Sequence, residues 1–215
     1  MTEHQITVER TARYFQAGEL GPATRHLWLV CHGYGQLAAY FIRHFTFLAD
    51  ADPATVVVAP EGLSRFYLNG TEGRVGASWM TRDGRLSEID DHTAFLEKLC
   101  EQLTANALPG LELNVLGFSQ GTATVARWLT RSGRRPARLV LWAGGFPDDV
   151  ADAPMQALLA GLPVTLVVGD ADEYVSMEQL KALQTRLTAL GAAVAVCQFA
   201  GGHTLNREVL AKLAS

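Results

Sequence analysis

Short, uniformly apolar runs recur along the chain, and between them lie longer stretches whose apolar positions return every third or fourth residue. This alternation limits the fold more than any other feature. Six runs read as strands: 27–31, 56–59, 113–116, 139–142, 164–168 and 193–199. Most are too apolar to have a wet face, as expected of parallel strands covered on both sides. The segments 41–48, 89–103, 122–129, 177–190 and 205–213 carry the i, i+3, i+4 spacing of helices. Together they predict an α/β architecture, a mostly parallel central sheet with helices on both faces. The alternating, polar stretch 6–15 reads as an antiparallel edge strand or hairpin joined to that sheet. No repeat or low-complexity linker interrupts the 215 residues, so a single domain over 1–215 is expected.

Charge and cysteine usage exclude several function classes. The 18 Lys and Arg against 22 Asp and Glu leave a net charge of −4, and no basic cluster extends beyond Arg134-Arg135. A phosphate-tracking nucleic-acid surface is not expected from such a chain. Cys31, Cys100 and Cys197 are widely spaced and show no metal-ligand or C-x-x-C pattern, so they read as reduced core residues and no metal is implied. The first residues lack the basic head and apolar run of a signal peptide. No apolar stretch approaches a membrane span, so integral membrane association is not expected and a cytoplasmic location is.

In an open parallel sheet, ligands bind beyond the carboxyl ends of the strands, so the residues that follow each run carry the chemical information. After 113–116 comes Gly117-Phe118-Ser119-Gln120-Gly121, followed by a helical pattern. A G-x-S-x-G between strand and helix is the nucleophile-elbow arrangement: the tight turn lifts a serine hydroxyl above the sheet, and glycines avoid collision with neighbouring backbone. The same motif elsewhere is merely a small-residue turn, so the order of the remaining groups matters. In this fold the order is Ser, then Asp or Glu, then His. After 164–168, Gly169-Asp170-Ala171-Asp172 offers two aspartates able to orient an imidazole. Of six histidines, only His203 follows the last strand, in a glycine-rich loop able to carry its ring to Ser119. His44 and His92 lie in helical patterns and read as surface or half-buried residues. His32, ending a strand before Gly33, reads as a structural hydrogen-bonding group. The run His32-Gly33-Tyr34-Gly35 lies where an oxyanion donor belongs, so the backbone N–H groups of Tyr34 and Gln120 would face one tetrahedral oxygen.

These pieces, together with Ala59-Pro60-Glu61-Gly62 and Gly76-Ala77-Ser78-Trp79, resemble the carboxylesterase/phospholipase family of serine esterases, the α/β-hydrolase branch that includes acyl-protein thioesterases. The likeness spans nearly the whole chain, and G-F-S-Q-G is its most specific element. The resemblance implies an α/β-hydrolase fold and makes Asp172, rather than Asp170, the acid beside Ser119 and His203. It departs after that acid: the family often has Val-Pro, whereas this chain reads Glu173-Tyr174-Val175. The segment 143–162 is too short for the helical cap of larger relatives, so an open groove without a large cap domain is expected.

The function that follows is cleavage of carboxylic esters or thioesters of short-to-medium acyl chains through an acyl-enzyme, without organic cofactor or metal. Leu37, Phe66, Trp79 and Phe146 are apolar residues able to line the groove; plain core packing is their alternative reading. The expected partner is a small-molecule ester, and an exposed edge strand or apolar rim could support a homodimer. Acyl-protein thioesterase or lysophospholipase-type activity differs only in what the rim admits. A non-catalytic ligand-binding protein of the same fold is the reading from a different class.

Overall fold

A computed structural model describes residues 1–107 and 109–214. Its strands are β1 (Tyr14–Ala17), β2 (His26–Cys31), β3 (Thr55–Pro60), β4 (Ser64–Tyr67), β5 (Val75–Ser78), β6 (Glu112–Phe118), β7 (Arg138–Trp142), β8 (Pro163–Gly169) and β9 (Ala193–Phe199). Its helices are α1 (Ala38–Phe41), α2 (Thr46–Ala51), α3 (Arg85–Thr104), α4 (Gln120–Ser132), α5 (Asp152–Leu159), α6 (Met177–Ala189) and α7 (Arg207–Ala214).

Seven strands form one sheet in the order β1-β3-β2-β6-β7-β8-β9, parallel throughout except for β1, which runs antiparallel to β3 at the edge. Alternate residues of each central strand enter different cores, as a two-residue repeat requires. Leu29, Val115, Leu141 and Leu166 pack under α3, α4, α5 and α6. Trp28, Val30, Leu116 and Trp142 pack on the other face against α1, α2 and α7. Both faces are therefore covered, which is why the runs have no polar alternation.

Four local features differ from the sequence reading. The N-terminal pairing is confined to β1, with Phe15 opposite Ala59; residues 1–13 carry no regular structure, and Ile6 and Val8 stay exposed because nothing there buries them. The single helix expected over 41–48 is broken into α1, a 3₁₀ turn at Ile42–His44 and α2, and the break turns Phe41, Ile42, Phe45 and Leu48 all into the core. The chain between β3 and α3 forms an antiparallel hairpin, β4 with β5, which an isolated bridge between Gln36 and Ala77 joins to the loop after β2. A further helix, α5, buries Met155, Leu158 and Leu159 at helical spacing. It is the one helix in the connection from β7 to β8, and no large cap rises from it.

One buried carboxylate ties these parts together. Glu61, 1% exposed, accepts both Nε–H and Nη2–H of Arg13 at 2.6 and 3.0 Å, Nε–H of Arg65 at 2.8 Å, and the Ala38 backbone N–H at 3.2 Å. It thus joins the segment leading into β1, the hairpin and the start of α1. Burial pushes its pKa up, but the Arg13 and Arg65 hydrogen bonds outweigh burial and hold the carboxyl below its ordinary 4.5. We expect Glu61→Gln to lower unfolding free energy by about 2 kcal/mol at neutral pH, the scale of lost hydrogen bonds to charged groups. Because the folded-state pKa is depressed, this contribution is full above the unfolded-state pKa and is lost as pH falls through the folded one. Urea titrations from neutral pH to below 4 should therefore show the wild type and variant converging on acidification.

Candidate active site

Parallel strands in register bring their following residues to one edge. Cys31 pairs with Gly117, Phe118 with Trp142, and Gly169 with Phe199, so the next residues emerge side by side. Between β6 and α4, Ser119 has φ 53° and ψ −118°, a conformation few L-residues adopt. Ala143, next along the edge, has φ 52°. Hydrogen bonds across neighbouring strand ends hold both: Ser119 N–H donates to Trp142 O at 2.8 Å and Ala143 N–H to Val167 O at 2.7 Å.

The glycines around Ser119 are there for steric reasons. A Cβ on Gly117 would lie 2.4 Å from Gly121 O, and one on Gly121 would lie 2.3 Å from Cys31 O. Backbone packs against backbone here, and Ser119 stands at the N-terminal end of the 13-residue α4, where helix N–H groups point outward.

Facing it is an Asp–His pair. The Asp172 side chain is fully buried, and its Oδ1 accepts the N–H groups of Tyr174 and Val175 at 2.9 and 3.1 Å. Its Oδ2 lies 2.9 Å from His203 Nδ1. The imidazole is packed between Phe118 and Tyr174, at centroid distances of 5.0 and 4.7 Å. Asp170 is otherwise engaged: its Oδ1 accepts the Gly201 N–H at 2.9 Å and braces the turn that carries His203. Ser119 and His203 both line one cavity of about 720 Å³.

The loop after β2 closes the other side of Ser119. His32 is buried; its Nε2 accepts the Gly62 N–H at 3.0 Å, so the proton lies on Nδ1 and is donated to Gly33 O at 2.7 Å. That oxygen belongs to the same peptide unit as the Tyr34 N–H, so the ring fixes the plane of the unit, and burial keeps the ring neutral by lowering its pKa. Gly33 N–H donates to Gln36 Oε1, Gly35 N–H to Ala77 O, and Gln36 N–H to Gly33 O. Among the described residues, the Tyr34 N–H has no acceptor. The Gln120 side chain is occupied in securing the loop after β5: its Oε1 accepts the Trp79 N–H at 3.1 Å and its Nε2 donates to Met80 O at 2.7 Å.

The four residues read from sequence as groove-lining separate. Phe146 lines the cavity, as does Tyr34. Phe66 and Leu37 are half-buried outside it, with Phe66 lying against the Tyr34 ring at 5.1 Å. Trp79 is a core residue, 1% exposed, whose indole N–H donates to His32 O at 2.8 Å. Its place in the core follows from the hairpin, which folds it under the loop after β2. His92, read from sequence as a surface or half-buried helix residue, is fully buried; it meets Trp79 edge-on, and burial lowers its pKa to about 4. Cys31 and Cys100 are buried free thiols whose pKa burial raises, whereas Cys197 on β9 is half-buried. Sequence reasoning missed the cavity wall made by Val175 in the loop after β8 and by Leu180, Leu183 and Arg186 of α6, although the helical spacing of the last three was available to read. Among the described residues, no group of three or more His, Cys, Asp or Glu could hold a metal, and no helix is long and apolar enough to cross a membrane.

The sheet order and the strand–turn–helix at its carboxyl edge are those of an α/β-hydrolase fold. A sequence profile of the phospholipase/carboxylesterase family matches residues 21–215, and the chain belongs to that family, which sets it among carboxylic ester hydrolases. Similar solved structures include esterase PE8 (22% identity, 95% of this chain and 97% of that chain, TM-score 0.73). A carboxylesterase from Mesorhizobium loti (20% identity, 94% and 93%, TM-score 0.70) and acyl-protein thioesterase 2 from Zea mays (18% identity, 95% and 96%, TM-score 0.69) share the fold. No curated protein matches the sequence.

The contact between β2 and α4 makes a direct prediction. Gly121→Ala should lower stability by about 3 kcal/mol, because backbone must move to admit the methyl group. Gly145→Ala, where a Cβ meets nothing within 4 Å, should change it by less than about 0.5 kcal/mol. Urea midpoints of the two variants, compared side by side, measure the difference; equal midpoints would contradict the steric account.

Proposed function

We propose that this protein hydrolyses carboxylic esters or thioesters of short-to-medium acyl chains, with Ser119 as nucleophile, His203 as general base and Asp172 as its orienting acid. The observation that carries the reading is the buried Asp172–His203 hydrogen bond beside a cavity that Ser119 also lines. Because Asp172 receives the Nδ1 proton, Nε2 keeps its lone pair for the serine hydroxyl. A free hydroxyl is a weak nucleophile until such a base takes its proton.

In this mechanism Ser119 attacks the carbonyl, and negative charge develops on the carbonyl oxygen. The N–H of Gln120, at the first turn of α4, and the unpaired N–H of Tyr34 would receive that charge. His32 supports the second donor: its hydrogen bond to Gly33 O polarises the Gly33–Tyr34 peptide and fixes the direction of its N–H. Donors fixed before the reaction need no reorientation as charge appears, which is where most of their benefit lies. His203 then passes its proton to the leaving group, and water repeats the cycle on the acyl-enzyme. The apolar walls offered by Phe146, Val175, Leu180 and Leu183 favour an acyl chain over a polar one.

Hydrolysis of p-nitrophenyl esters from acetate to palmitate tests the reading. Ser119→Ala should reduce kcat by on the order of 10⁶-fold and abolish fluorophosphonate labelling. Asp172→Asn should reduce it by roughly 10⁴-fold, since the wrong tautomer is then favoured. Asp170→Asn, which disturbs only a turn, should fall by less than about tenfold. Absence of both turnover and labelling in the wild type would favour a ligand-binding protein with the same fold.

A further inference from the structure

We propose that the cavity accepts esters bearing a carboxylate at the far end of an apolar chain, and that Arg186 receives this carboxylate. The inference rests on the ester-hydrolase reading and names the substrate class for the same site.

Ser119 and His203 line the same cavity as the face of α6 that carries Gln179, Leu180, Leu183 and Arg186. Tyr174, which packs on the His203 ring at 4.7 Å, precedes α6, which begins at Met177. From Gln179 to Arg186 a helix advances about 10 Å, so Arg186 stands about two turns further along this wall than the start of α6. The intervening lining is mainly apolar. The Gln179 Oε1 is used in the cap of α6, where it accepts the Ser176 N–H at 2.8 Å, while Ser176 Oγ accepts the Gln179 backbone N–H at 3.2 Å. Among the described residues, Arg186 is the one Lys or Arg lining the cavity and Asp148 the one Asp or Glu.

The structure already places a carboxylate on this guanidinium. Arg186 Nη1 donates to Asp148 Oδ1 at 2.8 Å. The two partners differ in burial, since Arg186 is 33% exposed and Asp148 is 97% exposed. Arg186 is also held from behind, its Nη2 lying 3.7 Å from the sulfur of the buried Met155. Exposed ion pairs are weak, so a substrate carboxylate can take the place of Asp148 at little cost. The neighbouring Asp149 is bound by Arg127 and Arg85, which holds the loop at the rim whether or not Asp148 is engaged. A singly charged carboxylate matches the single guanidinium, whereas a phosphate monoester would bring a second charge beside Asp148. The planar fork of an arginine also suits carboxylate geometry.

The test compares mono-p-nitrophenyl esters of adipic, suberic and sebacic acids with p-nitrophenyl esters of the monocarboxylic acids of equal carbon number. The readout is the ratio of kcat/KM within each pair, which cancels changes in basal activity. We expect the wild-type ratio to peak at one chain length and to fall about tenfold there in Arg186→Gln, with Arg186→Lys retaining part of it. Asp148→Asn, which removes the internal competitor, should raise the ratio. Acetyl esters of the corresponding ω-hydroxy acids place the carboxylate on the leaving group instead, and the same dependence on Arg186 in either series supports the proposal. A ratio that is flat with length in both series, or that Arg186→Gln leaves unchanged, overturns it. Should the wild type turn over no ester at all, the hydrolase reading fails separately. The anion subsite is then read by calorimetric titration with suberate: binding that Arg186→Gln abolishes keeps the subsite, and no binding to the wild type removes it.

Discussion

Strand direction is the constraint from which the rest of this structure follows. Because β2, β6, β7, β8 and β9 run the same way and in close register, five loops leave the sheet along a single edge. His32, Ser119, Ala143, Asp170 and the 200–203 turn are far apart in the chain and adjacent in space for this reason alone. A parallel sheet can exist only if both faces are covered, and the two cores supply that cover: Leu29, Val115 and Leu141 on one side, Trp28, Val30 and Trp142 on the other. Hydrophobic burial therefore positions the polar edge.

On that edge, backbone geometry does much of the work usually credited to side chains. Ser119 and Ala143 both adopt positive φ, and neighbouring strand ends supply the hydrogen bonds that hold them there. The loop after β2 is fixed by His32 and Gln36 from within and by the hairpin from outside, through Gly35 N–H to Ala77 O and the Trp79 indole to His32 O. Glu61 links this loop to the sheet edge at β1 through Arg13 and to the hairpin through Arg65.

How much of this the sequence revealed depended on the range of the interaction. The strands of the main sheet and the helices α3, α4, α6 and α7 could be read because their pattern is local: apolar runs and helical spacing within one segment. Ser119 and His203 stood out because motif and chain order are also one-dimensional. Asp172 could be separated from Asp170 only by resemblance, since both sit in one loop; in the structure one accepts from His203 and the other from Gly201. Trp79 stayed open between groove and core because an aromatic residue in a long loop looks the same whether the loop lies over a groove or folds beneath it. The pairing of Ser64 with Ser78 that decides the matter is a contact between distant residues with little β pattern of their own. The break between α1 and α2 was hidden for a similar reason, as the register of Phe41 and Phe45 is set by the sheet below them.

The close approach of β2 to α4 also sets what sequence variation can repair. A Cβ at Gly121 would strike the carbonyl of Cys31, one at Gly117 the carbonyl of Gly121, and one at Gly169 the carbonyl of Gly201. In each case the obstructing atom is peptide oxygen, which every amino acid carries. A crowded side chain can be relieved by shrinking its neighbour, but no second-site suppressor can remove a backbone carbonyl. The clash at these three positions therefore cannot be relieved by trimming a neighbouring side chain, whereas apolar residues of the core can drift together as long as volume is kept.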